Sequence, residues 1–204
     1  MPLIRKPPAT SQAPEPSAPS LTAASSDERW SAVRAATGRP EGVALLAKAL
    51  AVERDFRVLE AIFTGLARIG TAESAEAVVP YLRSDDAALR TGAIDALRAM
   101  PAAAARHLPP LLADPDPDVR LLSCELVRDL PAAEASRLLC GLLEGETEKN
   151  VCASAVEVLS EISDPSALPV LQRCAVRFAD DPFVAFSLKV AIDRLGASPP
   201  VTRE

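Results

Sequence analysis

The sequence repeats one hydrophobic pattern five times, at intervals of 30 to 33 residues. Each copy opens with an apolar anchor, and the anchors are Val58, Leu89, Val119, Val151 and Val184. Counted from the anchor, mostly apolar residues return at offsets 4, 8 and 11, which lie on one stripe of a helix with about 3.6 residues per turn. Offset 12 carries helix terminators or weak helix formers, namely Gly70, Pro101, Pro131, Ser163 and Gly196. The pattern predicts five amphipathic helices that end near offset 12.

A shorter apolar segment precedes each anchor, and an acidic turn joins the two. The shorter segments span residues 43–50, 75–82, 103–112, 135–143 and 167–176. Acidic side chains just ahead of a helix cap its free N–H groups and face the positive end of its dipole. Each unit is therefore predicted to be a helical hairpin, which can bury its apolar side only against neighbouring hairpins. The predicted fold is an all-α, right-handed α-solenoid of about five hairpins, with an N-terminal capping helix around Trp30 and Val33.

Composition supports helices and sets the domain limits. Hydrophobic residues make up 49% of the chain but aromatic residues only 3%, and a core of Ala, Leu and Val suits closely spaced helices better than a sheet. Residues 1–27 are rich in Pro, Ser and Ala and show no apolar period, which predicts a disordered tail. Within it, residues 3–8 (Leu-Ile-Arg-Lys-Pro-Pro) are alternatively a docking peptide for another protein. The solenoid is predicted over residues 28–196, with a second disordered tail at 197–204.

The net charge and the cysteines of the chain indicate which classes of partner it can bind and in which cellular compartment it is located. The formal net charge is −6, which argues against a surface that wraps nucleic acid. There is no run of about 20 apolar residues to insert in a membrane and no secretory signal, so the predicted location is the cytoplasm. The four cysteines, Cys124, Cys140, Cys152 and Cys174, lack metal-ligand spacing and are predicted to be buried thiols in a reducing compartment. Arg outnumbers Lys 18 to 4, a bias typical of a GC-rich bacterial genome.

Two runs carry a resemblance to a known family. Residues 114–120 (Asp-Pro-Asp-Pro-Asp-Val-Arg) and 163–171 (Ser-Asp-Pro-Ser-Ala-Leu-Pro-Val-Leu) resemble HEAT repeats of the phycobilisome-lyase type. The likeness extends over residues 40–196 and implies HEAT-like hairpins and partner binding. It also implies a ladder of Asp and Arg side chains between adjoining repeats. Only Arg90 and Arg120 hold the Arg position of that ladder here, so a partial ladder is expected.

No group of residues in the sequence has the types and spacing of a catalytic site. His107 is the only histidine and has no Ser, Cys or carboxylate pair at a catalytic spacing, so a surface or half-buried role is expected. The acidic cluster at 114–118 has prolines between its carboxylates and continues into a helix, so it is interpreted as a helix cap. The alternating carboxylates at 144–148 do not have the Gly and Asn pattern of a calcium loop and are interpreted as a solvated turn. The chain is therefore predicted not to be an enzyme and to hold no cofactor or metal.

The predicted binding surface is the concave face of the second helices. Apolar residues recur at offset five of successive second helices and would form a strip across this face. Apolar residues at offset two extend the strip, and Arg side chains at offset nine lie beside it. The predicted partner-binding residues are Phe63, Ile94, Arg98, Leu121, Cys124, Arg128, Val156 and Phe186. The alternative for offset five is that these residues pack against the adjacent helix.

The function predicted from these features is a protein-interaction scaffold or adaptor that binds an unidentified protein or peptide. Two alternatives stay open. One is a subunit of a bilin (tetrapyrrole) lyase or chaperone, which the family resemblance suggests. The other is a nucleic-acid binder, which a salt-dependent shift with DNA or RNA would reveal.

Overall fold

The computed structural model describes residues 20–197, and every regular element in that range is helical. The helices are α1 (Ser26–Thr37), α2 (Gly42–Val52), α3 (Phe56–Ile69), α4 (Ala72–Val78), α5 (Ala87–Arg98), α6 (Pro101–Ala104), α7 (Leu108–Leu112), α8 (Pro117–Val127), α9 (Ala132–Gly145), α10 (Lys149–Ile162), α11 (Leu168–Arg177) and α12 (Pro182–Ala197). Most of the two predicted tails, and the whole of the 3–8 segment, lie outside the described residues.

The helices form two layers, as the repeat predicts. The second helices of the hairpins, α3, α5, α8, α10 and α12, pack side by side in chain order. Each predicted anchor is the third residue of its helix, and four of the five anchors are fully buried, while Leu89 is half-buried. All five offset-4 residues are buried as well. The prediction of an all-α solenoid of five stacked hairpins is confirmed.

The capping helix α1 occupies a position in the row of second helices. It packs along α3 and, less extensively, on α2. Val33 is fully buried there, and a Cβ at Gly65 of α3 would lie 2.9 Å from Oγ1 of Thr37. The close approach of the two helices therefore depends on a glycine. The α1 helix acts as a half-repeat that covers the end of the stack.

Proline breaks two of the first helices. In the second unit Pro80 lies in a 3₁₀ turn, Val79–Arg83, that continues α4. In the third unit a 3₁₀ turn at Ala105–His107 separates α6 from α7. Proline has no N–H and clashes with the preceding turn, so a single continuous helix is not formed at these sites.

Two of the five second helices, α3 and α10, end at their predicted terminators, whereas α5 and α8 end two and three residues early. Gly70 and Ser163 both adopt the left-handed conformation directly after their helices, with φ of 65° and 57°, and such residues satisfy the last free carbonyls of a helix. Gly196 was predicted to end the last helix, yet α12 continues through it to Ala197. Glycine alone does not stop a helix when its φ remains helical.

Paired arginine and glutamate side chains join neighbouring units. Arg120 of α8 bonds both carboxylate oxygens of Glu146, in the turn between α9 and α10. Arg29 of α1 holds Glu53, in the turn between α2 and α3, in the same way. Both glutamates also accept N–H groups of their own turns. Adjacent hairpins are therefore tied together at their turn ends.

Candidate binding surface

Three of the eight predicted partner-binding residues lie in the core, and this corrects the idea of an apolar strip on the surface. Phe63 is 4% exposed, Cys124 0% and Val156 1%. Ile94 is half-buried against the core. Offset five is therefore mainly a packing position, as the alternative interpretation held.

These residues are buried because the side chain at offset five of one second helix packs against the residue at offset three of the next second helix. The ring of Phe63 on α3 lies where a Cβ of Gly92 on α5 would be, with only 2.5 Å between them. Cys124 of α8 is likewise within hydrogen-bonding reach of Ser154 on α10, and burial raises the pKa of its thiol to about 12. Small residues at offset three thus admit the large offset-five side chains between helices.

The exposed apolar side chains are concentrated on α12 instead. Phe183 is 67% exposed, Phe186 66% and Val190 46%. Spaced three and four residues apart, they form one stripe along the helix. Phe186 was predicted from the sequence, whereas Phe183 and Val190 were missed. The other units have mostly polar residues at the equivalent positions, and this contrast was a usable signal.

The stripe borders a groove of about 630 Å³ that crosses α8, α10 and α12. Leu121, which is half-buried, lines its α8 side. We call this the C-terminal groove. Its other lining residues are Leu122, Glu125, Asn150, Ala153, Ser154, Val156, Glu157, Ser160, Glu161, Phe183, Phe186, Ser187, Val190 and Arg194.

The two predicted arginines are held in ion pairs beside this surface. Arg128 lies among three carboxylates, with 3.4 Å to Glu125, 3.9 Å to Glu157 and a shorter contact to Glu161. Burial by itself lowers the pKa of Arg128, but the hydrogen bond and charge of Glu161, together with Glu125, outweigh it and raise that pKa. Arg98 pairs with Asp129 at 2.9 Å. Both side chains therefore link neighbouring second helices.

The comparison with protein families fits this architecture. Residues 105–185, which run from the turn before α7 into α12, match the family model described as HEAT repeats. This segment of the chain is similar to HEAT repeats. No curated protein sequence matches it.

Solved structures support the same fold. Cex1p resembles the chain with a TM-score of 0.54 at 13% identity, over 82% of this chain and 38% of that one. A designed armadillo repeat protein scores 0.43 at 17% identity, covering 86% and 96%. The complex of CpcE and CpcF of phycocyanin lyase from Nostoc sp. PCC7120 scores 0.39 at 15% identity, covering 95% and 100%. At such identities the likeness to Cex1p concerns the fold alone, and the two lower scores add no argument.

A second groove lies between α3 and α5, the second helices of the first two hairpins. Its volume is about 690 Å³, and Phe56, which is 62% exposed, stands at its edge. Small or polar residues such as Thr64, Ala88 and Thr91 form much of the rest of its lining. This N-terminal groove offers one large exposed apolar side chain, against three at the C-terminal groove.

The thiols and the histidine lie within the repeats as structural groups. Cys124, Cys152 and Cys174 are buried and Cys140 is half-buried, all as free thiols. His107 is half-buried and accepts a hydrogen bond from Nε of Arg106 at 3.2 Å. Burial and the Arg106 charge lower the pKa of His107. Among residues 20–197, no group of three or more His, Cys, Asp or Glu side chains could hold a metal ion, and none of the helices there is long and apolar enough to cross a membrane.

Proposed function

We propose that this HEAT-repeat chain is a non-catalytic interaction module that binds a segment of a partner protein in the C-terminal groove. The observation that supports this most is the stripe of Phe183, Phe186 and Val190, three large apolar side chains exposed side by side on α12. Contiguous exposed apolar surface at the edge of a concave groove is typical of interaction sites.

The surroundings of the stripe support binding rather than chemistry. The carboxylates nearest to it, Glu125, Glu157 and Glu161, are arranged around Arg128. Ion pairing of this kind occupies oxygens of these carboxylates. Such charges are better suited to orienting a partner at the rim of an interface.

Phe186→Asp tests the proposal. Immobilised wild-type and variant protein would be incubated with extract of the source organism, and retained proteins would be compared by mass spectrometry. We expect a partner retained by wild type to be lost with Phe186→Asp, because a carboxylate in the centre of the stripe opposes desolvation. Thermal unfolding should change little, since Phe186 is exposed.

Val176→Asp is the matched control. Val176 lies on α11 of the same hairpin, is 81% exposed, and does not line the groove. The same partner should be retained by this variant. Equal retention by wild type and Phe186→Asp would contradict the proposal, and equal loss with both variants would show a nonspecific effect of the added charge.

A further inference from the structure

We infer that the occupant of the C-terminal groove is a cationic amphipathic helix of a partner, lying lengthwise between α10 and α12. This inference rests on the proposed function and names the chemistry of the partner segment. It follows from two rows of side chains on adjacent helices that run in parallel along the groove.

The first row is apolar and lies on α12. Phe183, Phe186 and Val190 follow one another at spacings of three and four residues, so they extend over about two helical turns, or roughly 10 Å. A partner helix with apolar residues at the same spacing can lay its stripe against this row, which is the common arrangement of a helix in a groove.

The second row is acidic and lies on α10. Glu157 and Glu161 are one turn apart, both line the groove, and both are exposed. Glu157 holds the same offset in α10 that Val190 holds in α12, and Glu161 lies one turn further on, so the acidic row flanks the C-terminal end of the apolar one. A helix on the α12 row that extends past Val190 therefore has its flank over these carboxylates.

Small side chains lie close to both rows. Ala153 and Ser154 on α10 and Ser187 on α12 line the groove and are half-buried. Because these side chains are short, the backbone of a partner helix can come close enough to contact both rows.

The charges of the groove favour a cationic partner. Glu125, Glu157 and Glu161 carry three negative charges, whereas Arg128 beside them and Arg194 on the lining carry two positive ones. Arg128 is the least exposed member of its cluster, so the carboxylates face the solvent. Lys or Arg side chains on the flank of the partner would complement them.

Two labelled peptides of 18 residues would test the inference by fluorescence anisotropy. Both peptides would carry Leu residues three and four positions apart, which form one apolar side of a helix. The polar side of the first peptide would carry Lys, and that of the second would carry Glu. We expect the Lys peptide to bind wild type and the Glu peptide to bind about tenfold or more weakly. The double variant Glu157→Lys/Glu161→Lys should reverse this preference, and Phe186→Asp should weaken both peptides.

The matched control is Glu76→Lys/Glu134→Lys, which changes the net charge equally at exposed sites on the first helices α4 and α9. It should retain the preference of wild type. Loss of the preference in this control would overturn the inference in favour of bulk electrostatics, and equal affinity of wild type for both peptides would overturn the cationic occupant.

Two further outcomes separate this inference from the proposed function. If neither peptide binds but retention from extract still depends on Phe186, the helical cationic occupant is wrong while the interaction module stands. Sedimentation velocity on the full chain supplies the other outcome. If wild type self-associates and Phe186→Asp does not, a second copy fills the groove, and the inference is overturned.

Discussion

Arg120 and Glu146 form a two-pronged ion pair between neighbouring repeats, with Nε to Oε2 at 2.8 Å and Nη2 to Oε1 at 2.9 Å. The Glu146 carboxylate is buried, and it also accepts the N–H groups of Thr147 and Glu148. Arg120 donates further to the Asp114 carbonyl at 2.8 Å. One guanidinium thus joins the turn of its own hairpin to the turn of the next.

We expect Arg120→Ala to lower the free energy of unfolding by about 3–5 kcal/mol, because it leaves the Glu146 carboxylate buried without its cation. Urea unfolding at pH 7 would measure the change. Lys189→Ala is the control, since Lys189 pairs with Asp193 at 2.8 Å with both side chains mostly exposed. An exposed pair contributes about 1 kcal/mol or less. Equal losses in the two variants would contradict a special role for the buried pair.

The equivalent pair at α1 predicts a pH dependence. The hydrogen bond from Arg29 lowers the pKa of Glu53 to about 2, below its ordinary 4.5, with help from the N–H groups of Asp55 and Arg54. The unfolded chain therefore takes up this proton near pH 4.5 and the folded chain only near pH 2. Stability from Glu53 is complete above pH 4.5 and is lost as the pH falls towards 2.

Between pH 5 and pH 3 this group should account for about 2 kcal/mol of the lost stability. Glu53→Gln has no such proton to bind, so its free energy of unfolding should fall by that much less over the same interval. Urea unfolding at a series of pH values would show the difference. Parallel pH profiles for wild type and Glu53→Gln would contradict the assignment.

The ladder of ion pairs was only partly predictable from the sequence. Arg120 was identified from its place one residue after an anchor. Arg29 was missed because α1 has no preceding first helix and so falls outside the five aligned copies. Arg90, also identified, donates to the Ser84 carbonyl, while the Asp114 carboxylate pairs with Arg83 instead. Arg83 thus takes the partner that the repeat register assigns to Arg90, and sequence spacing does not decide between the two.

One of the three units without a ladder arginine shows a different substitution. Cys152 stands at that position in α10, and Arg177 of α11 donates to the carbonyls of Leu143, Glu144 and Glu146. A guanidinium from the following helix thus satisfies the carbonyls of this turn. This replacement depends on which side chains are close together in the folded protein, so the repeat pattern of the sequence does not predict it.

Gly92 should be the glycine of the second helices least tolerant of a side chain. A Cβ there would lie 2.5 Å from the ring of Phe63, which is 4% exposed, so the ring must shift to admit it. We expect Gly92→Ala to destabilise the protein by about 1–3 kcal/mol through overpacking. Gly141 in α9 has nothing within 4 Å of an added Cβ, so Gly141→Ala should stabilise by about 0.5–1 kcal/mol through helix propensity.

Phe63→Leu distinguishes overpacking from a backbone effect. If the clash with the ring is the cause, the double variant Gly92→Ala/Phe63→Leu should lose less stability than the sum of its single variants. Thermal unfolding of the four proteins completes the cycle. If the stability losses of the two single variants simply add in the double variant, the destabilisation by Gly92→Ala has another cause in α5.

The binding surface was harder to predict than the fold for a related reason. The repeat shows which helix stripe is apolar, but the rotation of one second helix against the next depends on side-chain size at their contact. Glycine or serine at offset three lets the offset-five side chain of the preceding second helix sink into the interface, as at Phe63 and Cys124. The residues at offsets −1, 2 and 6 then form the exposed face of each second helix. Only in α12 are all three of these residues large and apolar.

Matched aspartates at Val156 and Phe186 would test this division between core and surface. Val156 is 1% exposed and Phe186 66%, although both side chains border the same groove. We expect Val156→Asp to cost more than about 4 kcal/mol, because it places a charge inside the contact between α10 and α12. Phe186→Asp should stay within about 1 kcal/mol of wild type, since its carboxylate remains in water. Circular dichroism with urea unfolding would measure both. A folded and stable Val156→Asp would mean that offset five opens to solvent after all, and the groove would then extend across the row of second helices.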